Sequence, residues 1–162
     1  MSTINHSSKT NRIISSIMLL LSLVIAIFPH WLMPLCGPME NGKYMACHYS
    51  AIYTAVIFAV LAVWLLIQIL VNRPGTYIAG SLLSALAVVF SYLLVTRKIK
   101  IPVPGIEPMM GQDGQMHVMT FGLCKKADMA CHQSYAVIHI MMFFLAVLAV
   151  VLLLKAWTEK KN

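Results

Sequence analysis

Residues 49–71 read YSAIYTAVIFAVLAVWLLIQILV and residues 77–95 read YIAGSLLSALAVVFSYLLV, with only Asn72-Arg73-Pro74-Gly75-Thr76 between them. Neither run carries an Asp, Glu, Lys or Arg, and each is close to the roughly 20 helical residues that cross a hydrocarbon core. A bilayer offers no water to unpaired peptide groups, so runs of this length span as helices. The Pro-Gly pentapeptide between them is a turn signal. The two runs are therefore expected to form one helical hairpin.

Two more runs extend the pattern. Ile13–Phe28 is prolonged by Trp31, Leu32 and Met33 beyond Pro29 and His30, and Tyr135–Leu154 closes the chain. Trp31, Tyr49, Tyr77, Tyr92, Tyr135 and Trp157 stand near the ends of the runs, where interfacial aromatics anchor helices. The polar Met1–Arg12 segment lacks a small-residue cleavage site, so the first run is expected to be retained as a span rather than removed as a signal peptide. Composition agrees: 60% of the 162 residues are hydrophobic and 10% charged, with a mean hydropathy of +0.81, against roughly 45–50% and about 25% in soluble domains. Twelve Lys and Arg against five acids give +7, but the bases form no stripe, which argues against nucleic-acid binding. The apolar content excludes disorder, and no charged-flank heptads suggest a coiled coil.

The other two connections are longer, Pro29–His48 between the first and second spans and Thr96–Ser134 between the third and fourth, and hold all four cysteines: Cys36 and Cys47 in one, Cys124 and Cys131 in the other. The first half of the second connection, with Pro102, Pro104 and Pro108, is expected to be irregular. Lys and Arg near the membrane divide equally between the two faces and leave the orientation open. Cysteines in even number and confined to one face fit an oxidising compartment. On that ground the cysteine loops are expected to be extracytoplasmic and both termini cytoplasmic.

A duplication joins these parts. Met45-Ala46-Cys47-His48-Tyr49-Ser50 and Met129-Ala130-Cys131-His132-Gln133-Ser134 stand at the start of the second and fourth spans, each with a Leu-Cys upstream. The expected fold is all-α integral membrane: one membrane domain over residues 1–162, built as two repeated hairpins, 13–71 and 77–155, related by an axis along the membrane normal. Four cysteines allow three pairings. Pairing within each loop, Cys36–Cys47 and Cys124–Cys131, fits the duplication and gives each outer loop its own disulfide staple.

Within the loops, His48 and His132 either cap or bond the loop backbone or, with His117, Met45 and Met129, hold a soft metal or haem, copper being the candidate ion. The spacing Cys36-x10-Cys47-His48 is not the C-x-x-C-H of c-type haem attachment. Met109, Met110, Met116 and Met119, with Arg97 and Lys98, are candidate contacts for a partner protein or for lipid headgroups. His139 is the only ionisable side chain inside a span; such residues are interhelical glue or functional. Spans without charge argue against a proton-coupled transporter or a charge-lined channel. No phosphate loop or nucleophile elbow is present.

Pro34-Leu35-Cys36, Met45-Ala46-Cys47-His48 and the second Cys…Met-x-Cys pair before the last span resemble a family of small four-helix bacterial membrane proteins of unknown function. Members are often encoded beside ABC-type transporters with MacB/FtsX-like permeases. The stretch Thr96–Met119 departs from the shorter family pattern and reads as an insertion. The resemblance implies a non-enzymatic accessory subunit in the bacterial inner membrane, partnered by an ABC permease and ATPase and presenting its cysteine loops outside. Two other readings stand beside it. Paired cysteines in two outer loops are similar to the quinone-coupled disulfide-forming oxidases, although the C-x-x-C pair and an Arg beside a first-loop cysteine are missing. The third reading is haem or copper handling by the histidines and methionines.

Overall fold

A computed structural model of the chain describes residues 2–31, 36, 38, 44–106, 108–110, 116–124 and 130–161. Four helices dominate it: α1 (Ser2–Trp31), α2 (Ala46–Val71), α3 (Pro74–Val95) and α4 (Ala130–Lys161). Each contains a stretch long and apolar enough to cross a membrane, of 21, 26, 22 and 29 residues in turn. This is the make-up of a multi-pass membrane protein. The α2–α3 turn is tighter than its five-residue signal suggests. Asn72 closes α2 in the left-handed conformation, and Pro74 is already the first residue of α3, where its fixed φ suits a helix start and its missing N–H costs nothing. Tyr77 Oη donates to Asn72 Oδ1 across the turn at 2.7 Å.

Each helix packs against its chain neighbours, and α1 closes the ring against α4. The buried faces follow one register. The offset of 84 residues that takes Cys47 to Cys131 also takes Ser50, Ala51, Thr54, Phe58, Leu61, Leu65 and Gln68 to Ser134, Tyr135, Ile138, Met142, Leu145, Ala149 and Leu152, all of them buried. Between α1 and α3, the offset of 66 that takes Asn11 to Tyr77 takes Ser15, Met18, Ile25 and Pro29 to Ser81, Ser84, Ser91 and Val95, again all buried. Side-chain volume is unequal at these matched places: Ala51 answers Tyr135, and Ser91 answers Ile25.

The outer surface is as apolar as the core, with Leu20, Val60, Leu70, Leu86, Phe143 and Leu154 turned outward. Small and hydroxylated residues mark the inner face of α3 instead: Gly80, Ser81, Ser84 and Ser91, the residue types that let membrane helices approach closely. Ser81 and Ser84 return their hydroxyl hydrogens to Tyr77 O and Gly80 O, at 2.8 and 2.7 Å, so they carry no unsatisfied donor into the hydrocarbon. Gln68 of α2 lies fully buried in the same layer and donates through Nε2 to Ser15 Oγ of α1 at 2.7 Å.

No two of the four cysteine sulfurs are at bonding distance, so the disulfide staples expected from the duplication are not part of this structure. The second long connection is irregular through its proline-rich half, as expected. Its second half adds a two-stranded antiparallel ribbon, β1 (Met109–Met110) and β2 (Met116–His117). No alternating pattern signals strands this short.

Gly80 is the tightest place in the ring. A Cβ there would collide with Gln68 Oε1 and approach Trp64 Nε1 to 3.4 Å. Moving Gln68 aside breaks its bond to Ser15. Gly80→Ala is therefore expected to lower stability by about 1–3 kcal/mol, the usual cost of overpacking, read as a drop in thermal midpoint in detergent. The loss should shrink markedly when Gln68→Ala is already present; an undiminished loss would place the clash elsewhere.

Candidate functional site: a four-cysteine centre at the loop end of the bundle

α2 and α4 begin at the same end of the ring where α1 and α3 finish. The repeated hexapeptide puts Cys47 and Cys131 at the second residue of α2 and of α4, both fully buried. Met45 precedes α2 in extended conformation without a side-chain cap. The repeated serines play matching parts, Ser50 Oγ donating to Ala46 O at 2.9 Å and Ser134 Oγ to Ala130 O at 3.2 Å. They bond back within their helices rather than capping them.

Ser50 does a second thing that its counterpart does not. Its oxygen accepts the backbone N–H of Gly122 at 2.8 Å, fastening the long connection onto α2. The next residue continues the seam, Leu123 N–H donating to Val95 O at 3.1 Å. Val103 N–H to Met119 O and Phe121 N–H to Ile101 O, at 2.8 and 3.1 Å, zip the two sides of the connection together. A small separate core of Leu94, Val103 and Phe121 lies beneath, flanked by Tyr49 and Met119, and Tyr53 meets Phe121 edge-on at 4.6 Å. Gly122 has φ +140°, and an added Cβ would run into the side chain of Arg97. Only glycine meets both demands there.

Held by this seam, Cys124 is brought to the cysteines of the other loop. Its Sγ lies 3.4 Å from Cys47 Sγ and 3.7 Å from Cys36 Sγ, and all four sulfurs fall within 4.8 Å of one another. Met45 Sδ is a fifth sulfur at the rim, 3.7 Å from Cys124 Sγ. His132 Nε2 stands 2.8 Å from Cys124 O; a carbonyl only accepts, so the ring nitrogen carries the hydrogen. This fixes the backbone on which Cys124 sits.

Four thiols this close cannot ionise independently. Burial alone would push the Cys36 thiol up, but hydrogen bonds from Cys47, Cys131 and Cys124 outweigh it and hold Cys36 below the ordinary thiol range. Burial pushes Cys124 up to about 12, opposed by its bond to Cys47 and reinforced by Cys131 and Cys36. One thiolate is stabilised by its neighbours' hydrogens, and a second meets both desolvation and the first charge. The cluster can stay largely protonated, close into disulfides, or bind a cation that absorbs the negative charge.

The other residues singled out in the sequence sit around this centre or away from it. Among the described residues no histidine joins the sulfurs. His48 stacks on Tyr44 with ring centroids 4.1 Å apart and meets Tyr49 edge-on. His117 lies on β2, opposite Met109, and Met110 pairs with Met116. Met116 is exposed, whereas Met119 is half-buried in the small core. Arg97 terminates α3 in the left-handed conformation, φ 57°, with Lys98 N–H reaching back to Leu93 O at 3.0 Å; Lys98 itself is exposed. His139 is packed between rings, 5.3 Å from Tyr92 of α3 and 6.2 Å from Tyr135. Cys131, Tyr135 and His139 form one stripe down α4. Met129 lies outside the described residues. Gly122, Phe121 and Val95, which with Ser50 of the repeated hexapeptide aim Cys124, are not conspicuous in the sequence. The Phe-Gly-Leu-Cys string at 121–124 is the one local hint, a glycine two residues before a cysteine.

Fold and centre together define a class: small four-helix multi-pass membrane proteins whose two hairpins close a cysteine cluster at one end. Residues 18–157 match the family described as Domain of unknown function (DUF4418), and the chain belongs to that family. No match was found among curated proteins or among solved structures.

The unequal thiols have a direct readout. In reduced protein kept free of metal, iodoacetamide should alkylate Cys36 at a pH below that of an ordinary thiol, and Cys124 only as the pH approaches about 12. Peptide mapping across a pH series checks this; equal reaction of both at one pH would contradict the cluster.

Proposed function

We propose that the chain is a non-enzymatic accessory subunit of a bacterial inner-membrane complex, with both termini cytoplasmic and the cysteine loops extracytoplasmic. It docks on an ABC-type permease and its ATPase and carries its sulfur centre where that complex meets the outside. The observation that supports this reading is the concentration of distinctive chemistry at one end. Two loops from two repeats are seamed together there, while the apolar runs 13–28, 49–71, 77–95 and 135–154 below turn apolar side chains outward and hold no Asp, Glu, Lys or Arg. A bundle of this kind has no energy source of its own. The exposed Met116 and Val118 beside the ribbon supply adaptable apolar surface for a partner, and the family resemblance supplies the partner's class. Where no cation holds the centre, oxidation would close the same thiols as Cys36–Cys47 and Cys124–Cys131, each staple contributing about 2–3 kcal/mol for loops this short.

Affinity purification from native membranes in mild detergent should recover a permease and an ATPase in fixed ratio with the chain. Recovery of a lone monomer would overturn the accessory role.

One observation favours a second reading. Cys124 has two thiols within 3.7 Å, so it could exchange between partners as the redox centre of a quinone-coupled oxidase does. In that reaction two thiols lose two electrons and two protons, a sulfur–sulfur bond forms, and the quinone becomes quinol. Reduced protein incubated with a short-chain ubiquinone analogue would form quinol and one disulfide in equal amounts; no quinol formation eliminates it.

A further inference from the structure

We propose that Cys36, Cys47, Cys124 and Cys131 form a closed tetrathiolate zinc site, completed only when the two repeats come together. The inference deepens the sulfur-centre reading and needs no partner protein. Zinc held by four thiolates at about 2.3 Å places its sulfurs about 3.8 Å apart at the corners of a tetrahedron. Cys124 stands 3.7 Å from Cys36 and 3.4 Å from Cys47, and no separation among the four exceeds 4.8 Å.

A pair of disulfides predicts a different pattern. Each sulfur would then have one close partner, at about 2.05 Å, and the other pair would stand apart. Cys124 instead shares its neighbourhood between two cysteines of the opposite loop. That is how a vertex of a tetrahedron sits, and not how one end of a bond sits.

The surroundings suit a zinc ion in four ways. The ligand set is all sulfur, and among the described residues no carboxylate or histidine joins it, a composition that selects zinc or iron–sulfur chemistry over magnesium, calcium or manganese. Cys47 and Cys131 lie in the first turns of α2 and α4, where unpaired N–H groups and the positive ends of the helix dipoles favour thiolates. Cys47 and Cys131 are fully buried and the other two half-buried, leaving no open coordination position, the arrangement of a structural rather than a hydrolytic zinc. The His132 bond to Cys124 O orients a ligand from outside the coordination sphere, as hydrogen bonds around metal sites do.

Loading balances simply. Four thiols release four protons to water, the ion takes four sulfur lone pairs, and the centre goes from neutral to a net charge of −2. Occupancy therefore tightens as pH rises. Each hairpin contributes two ligands and neither has a site alone, so the ion clasps the repeats at the loop end.

The test uses the full chain, purified in detergent under reducing conditions. Elemental analysis should return one zinc per chain, and exchange with Co2+ should give the sulfur-to-cobalt charge-transfer and intense visible bands of a tetrahedral tetrathiolate. Cys36→Ser, in the loop outside the helices, should weaken zinc binding by at least about tenfold, since even outer partners of metal ligands cost 10–100-fold. Met45→Leu and His48→Ala should keep one zinc per chain. Cys131→Ser serves as the second ligand variant, so that misfolding of one does not decide the outcome. Four freely titrating thiols without metal, two disulfides, or zinc lost from His48→Ala and kept in Cys36→Ser would each overturn the proposal. Failure to recover a permease leaves the zinc count untouched, so the two readings fail separately.

Discussion

Hydrocarbon surrounds this bundle, and hydrocarbon-like side chains fill it, so burying another leucine gains little when two membrane helices meet. Association rests instead on close approach and on polar groups that have nowhere else to go. In this chain that constraint selects one face of each helix. Gly80, Ser81, Ser84 and Ser91 on α3, Ser15 and Ser22 on α1, and Gln68 on α2 all turn inward beside the apolar core, while Leu20, Val60, Leu86 and Phe143 face outward. The Gln68–Ser15 bond ties α1 to α2 toward the end of the bundle opposite the cysteines, and the glycine at position 80 leaves room for it.

The centre at the loop end inherits its geometry from this sorting. Because α2 and α4 bury equivalent registers, the second residue of each helix arrives at the same level of the ring. Cys47 and Cys131 are thereby aimed at one place by rigid elements. The other two cysteines come from loops, which do not position atoms unaided. For Cys124 the structure supplies a seam of three bonds, from Gly122, Leu123 and His132, backed by the aromatic contact of Tyr53 with Phe121. The repeat is thus symmetric where it builds the helices and asymmetric where it builds the site: Ser50 takes a loop amide, and Ser134 only its own helix carbonyl.

Chemistry follows from that crowding. Four crowded thiols share hydrogens readily and charges poorly, so the cluster has a stable state only when protons, sulfur–sulfur bonds or a cation resolve the repulsion. Histidine and methionine, which looked like ligands from their spacing, serve here as supports. His132 holds a carbonyl, His48 stacks on Tyr44, and Met45 Sδ lies beside Cys124 at 3.7 Å.

Span positions, the tight Asn72–Thr76 turn, the doubled hexapeptide and the four cysteines were all legible along the chain, because each depends on composition or spacing within a few residues. The extent of α1 and α4 beyond the apolar runs was not, since polar helix ends carry no hydropathy signal. Nor was the ribbon at 109–117. The duplication suggested that each pair of cysteines belongs to its own loop. Only the tertiary structure decided that Cys124 meets Cys36 and Cys47 across the repeats. Sulfur–sulfur distance between loops is set by how two hairpins dock and by how one glycine, Gly122, lets a connection lie against Arg97 and Ser50. Neither fact has a local signature, because both are relations between segments far apart in the chain, Gly122 lying 72 residues from Ser50.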